Sequence, residues 1–341
     1  MKLLISALEP SANLHLSPLL QKLDAQIVGV FDERFGNPLI PSSEFSIMGI
    51  VDVLPKIVKA KRAIAQMAQL SLTCNKVLLI DSPAFNIPLA KAIKEINPHI
   101  TIIYYILPKV WAWKPERAKK VEKYCDILAS IFPFEKAYYP KATYVGNPLL
   151  DEIPAYKQSY EPSGYIAYLP GSRKSEIKAL LPIYKELATK IKKNSILVIP
   201  PHFSSQEIQE IYGDISEFAI SRNTHKTFLK AEFAFVCSGT ATLEAALIGV
   251  PFVLAYKAKR LDYFLGKMFV KLSHVGLANI LFDFASMDAL HEEFLQQQAN
   301  SNNLLDAYFQ IDRELFFTQA LTLRKMLAHG SCESMLKLIS L

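Results

Sequence analysis

Apolar runs of strand length recur along this chain, each followed by a stretch whose apolar residues fall at helical spacing. This alternation restricts the fold more than any other feature. The first series is LLISAL (3–8), AQIVGVF (25–31), KVLLIDS (76–82), TIIYYIL (101–107) and DILASIF (126–132), with helical patterns at Leu14–Leu23 and Ala90–Ile96 between them. Strands that alternate with helices build βαβ units, and hence a parallel sheet covered on both faces. The polar and Pro-rich segment DEIPAYKQSYEPSG (151–164) then interrupts the pattern and suits a linker. After it the alternation restarts with YIAYLPGS (165–172), SILVIPP (195–201), EFAFVCS (232–238) and PFVLAY (251–256). The expected fold class is α/β: two Rossmann-like, doubly wound domains facing a cleft, spanning 1–155 and 156–314. The tail from Arg313 to Leu341 reads as helical.

Composition agrees with two packed domains. At roughly 100–200 residues per domain, 341 residues suit two, and 51% hydrophobic against 21% charged residues supplies a core and excludes global disorder. Lys and Arg number 38 against 32 Asp and Glu, a net charge of +6 that suits anionic partners such as nucleotides, phosphorylated lipids or an acidic membrane surface. That excess is spread out, and no nucleic-acid-binding motif accompanies it, so no nucleic-acid partner is expected. Cys74, Cys125, Cys237 and Cys332 form no Cys-x-x-Cys pair, which argues against a zinc site or a disulfide scaffold and fits a reducing cytoplasm. Glu9 ends the first apolar run too early for a secretory signal. Phe233–Tyr256 is long enough to span a membrane, but Gly239, Glu244, Gly249 and Pro251 interrupt it, so strand, loop, helix and strand describe it better.

Three loops carry chemistry. Cys237-Ser238-Gly239-Thr240-Ala241-Thr242-Leu243-Glu244 leaves a strand and opens a helix. Small residues there let the backbone approach a ligand, and the unpaired N–H groups of a helix start favour phosphate. Ser238, Gly239, Thr240 and Thr242 are therefore candidate phosphate contacts, and Glu244, one turn on, is placed to accept from ribose hydroxyls. Taken alone the segment is equally a capped strand-to-helix turn. Pro170-Gly171-Ser172-Arg173-Lys174-Ser175-Glu176 also leaves a strand. Gly171 and Ser172 can present backbone donors and Arg173 can fork onto a diphosphate, although a capping box from Ser172 to Ser175 or Glu176 explains the same residues. Asp81 closes an apolar strand at its carboxyl end, where open α/β sheets place ligands; it is a candidate general base or, more plainly, a helix cap.

No Asp-x-Asp motif and no His/carboxylate cluster at metal spacing is present, so no metal and no cofactor is expected; a leaving diphosphate would rest on helix N-termini and Arg173. His15, His202, His225 and His274 are isolated and read as structural or surface residues, with His15 beside the first loop. Tyr104–Lys114, with Trp111 and Trp113 beside lysines, suits a rim against lipid head groups as well as it suits a core. Pro55–Leu70 is an amphipathic helix that fits an anionic membrane surface or an ordinary protein surface.

Together these segments resemble the lipid-A-disaccharide synthase family over nearly the whole chain. The likeness runs through SALEPSANLHL (6–16), FSIMGIVDVL (45–54), DSPAFNIPLAKAIK (81–94), YYILPKVWAWKPERAKKVEKYCD (104–126) and FPFEKAYY (132–139). It continues in YVGNPLLDE (144–152), LPGSRKSEIKALLP (169–182), SGTATLEAALIGVPFVLAYK (238–257) and GLANIL (276–281). The resemblance implies a GT-B type fold, with an acceptor domain first, a UDP-sugar domain second, and the last helix, about 315–341, packing back on the first domain. It implies an inverting, metal-independent transfer from UDP-2,3-diacylglucosamine to 2,3-diacylglucosamine 1-phosphate, giving a β-1,6-linked disaccharide 1-phosphate and UDP. The implied place is the cytoplasmic face of the inner membrane of a Gram-negative cell, as a peripheral protein, with a homodimer left open. By position, Asp81 matches the family's essential aspartate, Arg173 the arginine of its Gly-Ser-Arg loop, and Asn279 the asparagine of its Leu-Pro-Asn segment. Glu9 and Ser11 match its first substrate-facing loop, and Ser238, Gly239, Thr240 and Glu244 its nucleotide loop.

The chain departs from the family pattern at Leu8, Pro10, Ala12 and Asn13, where the family reads Gly-Glu-Ala-Ser-Gly-Asp, at Asn147 for His, and at Ala278 for Pro. Two other readings fit the same residues: a non-catalytic UDP- or lipid-binding relative, and another UDP-sugar enzyme on this fold, an epimerase or a peptidoglycan-type transferase. The retention of Asp81, Arg173 and Glu244 favours the transferase.

Overall fold

Val, Ile, Leu and aromatic residues fill the strands of two parallel sheets, each wrapped by the helices that connect its strands. The computed structural model describes residues 1–46, 53–257 and 272–341; most of the FSIMGIVDVL segment, residues 47–52, lies outside the described residues. The chain divides into two units, Met1–Asp151 with Leu327–Leu341, and Glu152–Met326.

The first unit carries β1 (Lys2–Ser6), β2 (Gln26–Phe31), β3 (Ile40–Pro41), β4 (Lys76–Ile80), β5 (Thr101–Tyr105), β6 (Ile127–Ser130) and β7 (Thr143–Tyr144). They pair in the order β3-β2-β1-β4-β5-β6-β7, all parallel. Val77–Ile80 and Ile102–Ile103 have no exposed surface. Each such side chain withdraws from water at a gain of roughly 1.5–3 kcal/mol. The chain builds outward from β1 to β3 and returns to lay β4 on β1's other side. That reversal makes the β1/β4 boundary the topological switch point, and its carboxyl end is where a ligand crevice opens.

The second unit repeats the scheme with β8 (Tyr165–Leu169), β9 (Asn194–Val198), β10 (Ala219–Ser221), β11 (Phe233–Cys237), β12 (Phe252–Tyr256) and β13 (Glu293–Leu295), ordered β10-β9-β8-β11-β12-β13 and parallel throughout. Its switch point lies between β8 and β11. The loops at 170–173 and 238–240 therefore leave neighbouring strands at their carboxyl ends. The Phe233–Tyr256 run is strand, helix (Thr240–Ile248) and strand, and no described helix is long and apolar enough to cross a membrane.

Two features escape the sequence pattern. The edge strands β3, β7, β10 and β13 have two or three residues each, too few to show a period. The helical tail, expected to return as one piece, divides instead. Helix Arg313–Met326 buries Phe316, Phe317, Ala320 and Leu323 in the second unit, with Phe316 edge-on to Phe252. Only Leu327–Leu341 joins the first, where Ala328 accepts from the Asn147 amide and Ser331 pairs with the Tyr105 hydroxyl.

Candidate functional site

At the first unit's switch point the chain leaves β4 in a strained conformation. Asp81 and Ser82 both lie in the left-handed region, at φ 51° and 44°. Such residues cost about 1–3 kcal/mol each and persist only where the surroundings hold them. Here the Asp81 amide donates to Tyr105 O at 3.0 Å, and its carbonyl accepts from Tyr104 Oη and Asn86 Nδ2, both at 2.7 Å. Asn86 is held in turn by Ser6 Oγ at 2.6 Å. These contacts fall on the Asp81 backbone, while the carboxylate accepts only from the neighbouring Ser82 amide among the hydrogen bonds that act on its pKa. Burial pushes the Asp81 carboxyl above its ordinary range, and the Lys109 ammonium, the Ser82 amide and His15 only partly offset it. A buried carboxyl raised in this way is a stronger base than an ordinary aspartate.

Glu9 approaches the same loop, its Oε1 lying 3.5 Å from Ser82 Oγ, and half-buried Ser11 follows in the first turn of helix Pro10–Leu20. The altered first loop is held by Asn13. This buried side chain donates to Ala7 O at 2.8 Å and Glu9 O at 3.0 Å, and accepts from the Asp32 amide at 2.8 Å. Its amide thus supplies donors that an aspartate lacks, in a loop without the family's glycines.

The aromatic rim divides. Trp111 is buried, donates to Glu135 Oε1 at 3.2 Å and packs edge-on against Phe132 and Phe134, so of its two readings the core one holds. Glu135 also accepts the Ile131 and Phe132 amides, and burial lifts its carboxyl to about 7 against these donors and Lys109. Trp113 remains 43% exposed, with Lys114 4.4 Å and Arg117 5.1 Å from its ring. On helix Val53–Leu70, Ala63, Met67 and Ala68 face the core, while Ile57 (47%) and Val58 (67%) stay exposed beside Lys61 and Arg62.

In the second unit a pocket of about 360 Å³ is walled by the loops that follow β8, β9, β10 and β11, including Gly171, Ser172, Arg173, Ser238, Gly239 and Thr240. Gly239 caps helix Thr240–Ile248 at φ 150°, and an added Cβ would meet nothing within 4 Å, so glycine is needed there for its backbone freedom alone. Gly171 is needed for space as well: at φ 110°, its Cβ would sit 2.6 Å from Glu176 Oε2.

Glu176, a cap by its sequence position, does cap helix Lys174–Ile191. Its buried carboxylate accepts the Ser172 and Arg173 amides at 3.2 Å each and binds Arg173 Nη1 at 2.7 Å. The backbone donors expected from Ser172 for a ligand are thereby taken, while the Arg173 side chain stays 76% exposed with its fork held in one orientation.

Two further expected site residues are buried and bonded to their own surroundings. Thr242 is fully buried and donates to Gly239 O at 2.8 Å, so it closes the helix's first turn and does not line the pocket. Asn279 is fully buried. Its amide donates to His291 O and Glu293 Oε1, both at 2.9 Å, and its oxygen accepts the Leu290 and His291 amides at 2.8 and 3.2 Å. With every hydrogen-bonding position occupied, it ties helix Leu277–Phe284 to β13 and presents no free donor or acceptor in this structure.

Glu244 is half-buried outside the pocket lining, with its Oε2 3.4 Å from His225 Nε2; that hydrogen bond is the main cause of the raised His225 pKa. Glu176 is the cap that the sequence offered; the part that Asn86 and Tyr104 play in holding the Asp81 turn, and the place of Arg222 in the pocket wall, had no signal in the sequence. No described group of three or more His, Cys, Asp or Glu side chains is placed to hold a metal. A second cavity, about 440 Å³ along β12 and β13, contains none of the expected site residues.

Residues 3–327 match the family described as lipid-A-disaccharide synthetase. A lipid-A-disaccharide synthase of Campylobacter jejuni is 50% identical over 360 aligned positions, covering 99% of this chain and 98% of that one. One of Helicobacter pylori is 47% identical over 345, covering 96% and 95%. Among solved structures, UDP-GlcNAc 2-epimerase from Neisseria meningitidis bound to UDP-GlcNAc superposes with TM-score 0.62 at 12% identity, with 99% of both chains covered. Acinetobacter baumannii MurG does so with TM-score 0.60 at 14% identity, again covering 99% of both. At such identities the structural likeness establishes the fold alone: two Rossmann-like domains of the GT-B type.

Proposed function

The chain belongs to the lipid-A-disaccharide synthetase family, glycosyltransferases of lipid A biosynthesis, and from that premise we propose the following reaction and residue roles. The substrates are UDP-2,3-diacylglucosamine and 2,3-diacylglucosamine 1-phosphate. The acceptor's 6-hydroxyl attacks the donor's anomeric carbon, the bond from that carbon to the diphosphate oxygen breaks with inversion, and UDP leaves with the electron pair. Asp81 takes the hydroxyl proton. Arg173 and the helix start at Gly239–Thr240 receive the diphosphate's charge, with no metal required. Glu9 and Ser11 contact the acceptor, and Glu244, released from His225, reaches the ribose.

The observation that carries this reading is the Asp81 turn: a strained loop at a switch point, clamped through its backbone, with a carboxyl raised by burial. The test is mass spectrometry of the product formed from defined acylated donor and acceptor in the presence of EDTA. A tetra-acylated disaccharide 1-phosphate is expected. Turnover of unacylated UDP-sugar alone, or none without added metal, would overturn the reading.

We also propose that the protein works as a peripheral protein on the cytoplasmic face of the inner membrane. Ile57, Val58 and Trp113 are exposed apolar groups beside Lys61, Arg62, Lys114 and Arg117. Binding of this kind scales with buried apolar area plus attraction to anionic lipid. The chain is expected to sediment with phosphatidylglycerol vesicles at low salt and to be released by high salt, with Val58→Asp weakening the association. Equal recovery with neutral and anionic vesicles would remove the proposal.

A further inference from the structure

We infer that Arg222 reads the nucleobase of the donor and sets the preference for uracil; this rests on the placement of UDP's diphosphate at Arg173 and Gly239. That placement leaves one direction for the nucleoside within the pocket. The central wall, after β8 and β11, is the phosphate end. The outer wall is made by the turn after β9 and the loop after β10, with Val198–Pro201, Arg222 and Thr224 lining it. Adjacent strands lie about 4.8 Å apart, so β10 is on the order of 10 Å from β8, and a nucleoside anchored by its phosphates extends toward Arg222.

The guanidinium there is built in rather than free to swing. Its Nη1 donates to Phe203 O at 2.9 Å and to Pro200 O and Pro201 O at 3.3 Å each. The turn it grips is itself closed by the Phe203 amide on Pro200 O, and β9 is joined to β10 by the Ile199 amide on Ser221 O. Among the described residues no carboxylate pairs with Arg222, in contrast to Arg173 with its Glu176. The pocket wall therefore carries a planar cation held through Nη1, whose Nε and Nη2 hydrogens have no acceptor among the described residues.

A guanidinium only donates. Uracil presents the O4 carbonyl where cytosine presents an amine, so the same fixed donors attract one base and repel the other. Sites built to hydrogen-bond a ligand discriminate far more sharply than apolar pockets do, because the mismatched partner leaves a polar group unpaired.

The test compares UDP and CDP binding to the full-length chain by calorimetry, for the wild type and for Arg222→Ala, Arg222→Lys and Arg222→Gln. The wild type is expected to prefer UDP. Arg222→Ala should weaken UDP by about 10- to 100-fold and change CDP by less than about threefold. Arg222→Gln, whose carbonyl accepts from an amine, should shift preference toward CDP, and Arg222→Lys should keep part of the UDP preference. Equal losses for both nucleotides, or no loss, would overturn the inference. The base preference is a ratio that a merely loosened turn does not move, and the Lys and Gln variants read it if Arg222→Ala fails to fold. Arg173→Ala separates the two levels. If it leaves UDP affinity intact, the nucleotide placement itself fails. If it abolishes UDP binding while Arg222 variants keep the base preference, only the role of Arg222 fails.

Discussion

Asp81→Asn is expected to lower kcat by about 10²–10⁴-fold, the range over which positioned proton transfer contributes to catalysis, while the protein melts no lower than the wild type at neutral pH. The second half of that expectation distinguishes a catalytic group from a structural one. Asparagine tolerates the left-handed conformation as well as aspartate does. The long-range hydrogen bonds that hold the turn use the Asp81 amide and carbonyl, which the substitution leaves unchanged, and the asparagine side-chain oxygen can still accept from the Ser82 amide. Linkage points the same way. Burial raises the Asp81 pKa in the folded state, so the folded chain binds more protons than the unfolded one between the two pKa values. This group's contribution to stability therefore falls as pH rises through that window, and a neutral side chain relieves the cost. For the wild type, the acid limb of kcat/KM should titrate above the ordinary aspartate value of about 3.9. An unchanged rate for Asp81→Asn, or a loss explained wholly by unfolding, would remove Asp81 from the chemistry.

Arg173→Ala should cost about 10²–10³-fold in kcat, the scale seen when one preorganised donor to developing charge is removed, together with weaker inhibition by UDP. The expectation follows from what Glu176 does. It fixes the guanidinium through Nη1 and leaves the rest of an exposed fork directed outward, so little orientational entropy is lost when a diphosphate arrives. Without the guanidinium, Glu176 still accepts the Ser172 and Arg173 amides, and the loop should keep its shape. Arg173→Lys restores charge without the fork and should recover only part of the rate. Steady-state kinetics with melting curves decide the matter. A change confined to KM would make Arg173 a uniform binding group, with no special hold on the transition state.

Much of the fold was legible in the sequence because fully buried parallel strands read as continuous apolar runs: KVLLI, TIIYY, FAFVC and FVLAY each became a strand. The Gly171 and Gly239 loops were legible for a related reason. A chain turning from strand to helix needs small residues, whether or not a ligand follows. The family motifs added which of those loops matter. The departures followed from what no local pattern encodes. Trp111, Thr242 and Asn279 have side chains that suit a ligand as readily as a neighbour. Only the positions of Glu135, of Gly239 O and of His291 with Glu293 reveal which partner each has.

The sequence alone determined the two α/β halves, the strand ends from which Asp81, Arg173 and Gly239 project, and the family. Each is a matter of residue type at short range, where period and turn chemistry speak directly. Tertiary structure alone decided the division of the tail at Leu327, the left-handed strain at Asp81 with Tyr104 and Asn86 holding it, and the capture of the Ser172 amide by Glu176. It also decided the arrival of Arg222 on the pocket wall. Most of these join strands and loops far apart in the chain, and burial and hydrogen-bond saturation are properties of the packed whole. A side chain's availability to a ligand is set by what else has already claimed its donors and acceptors.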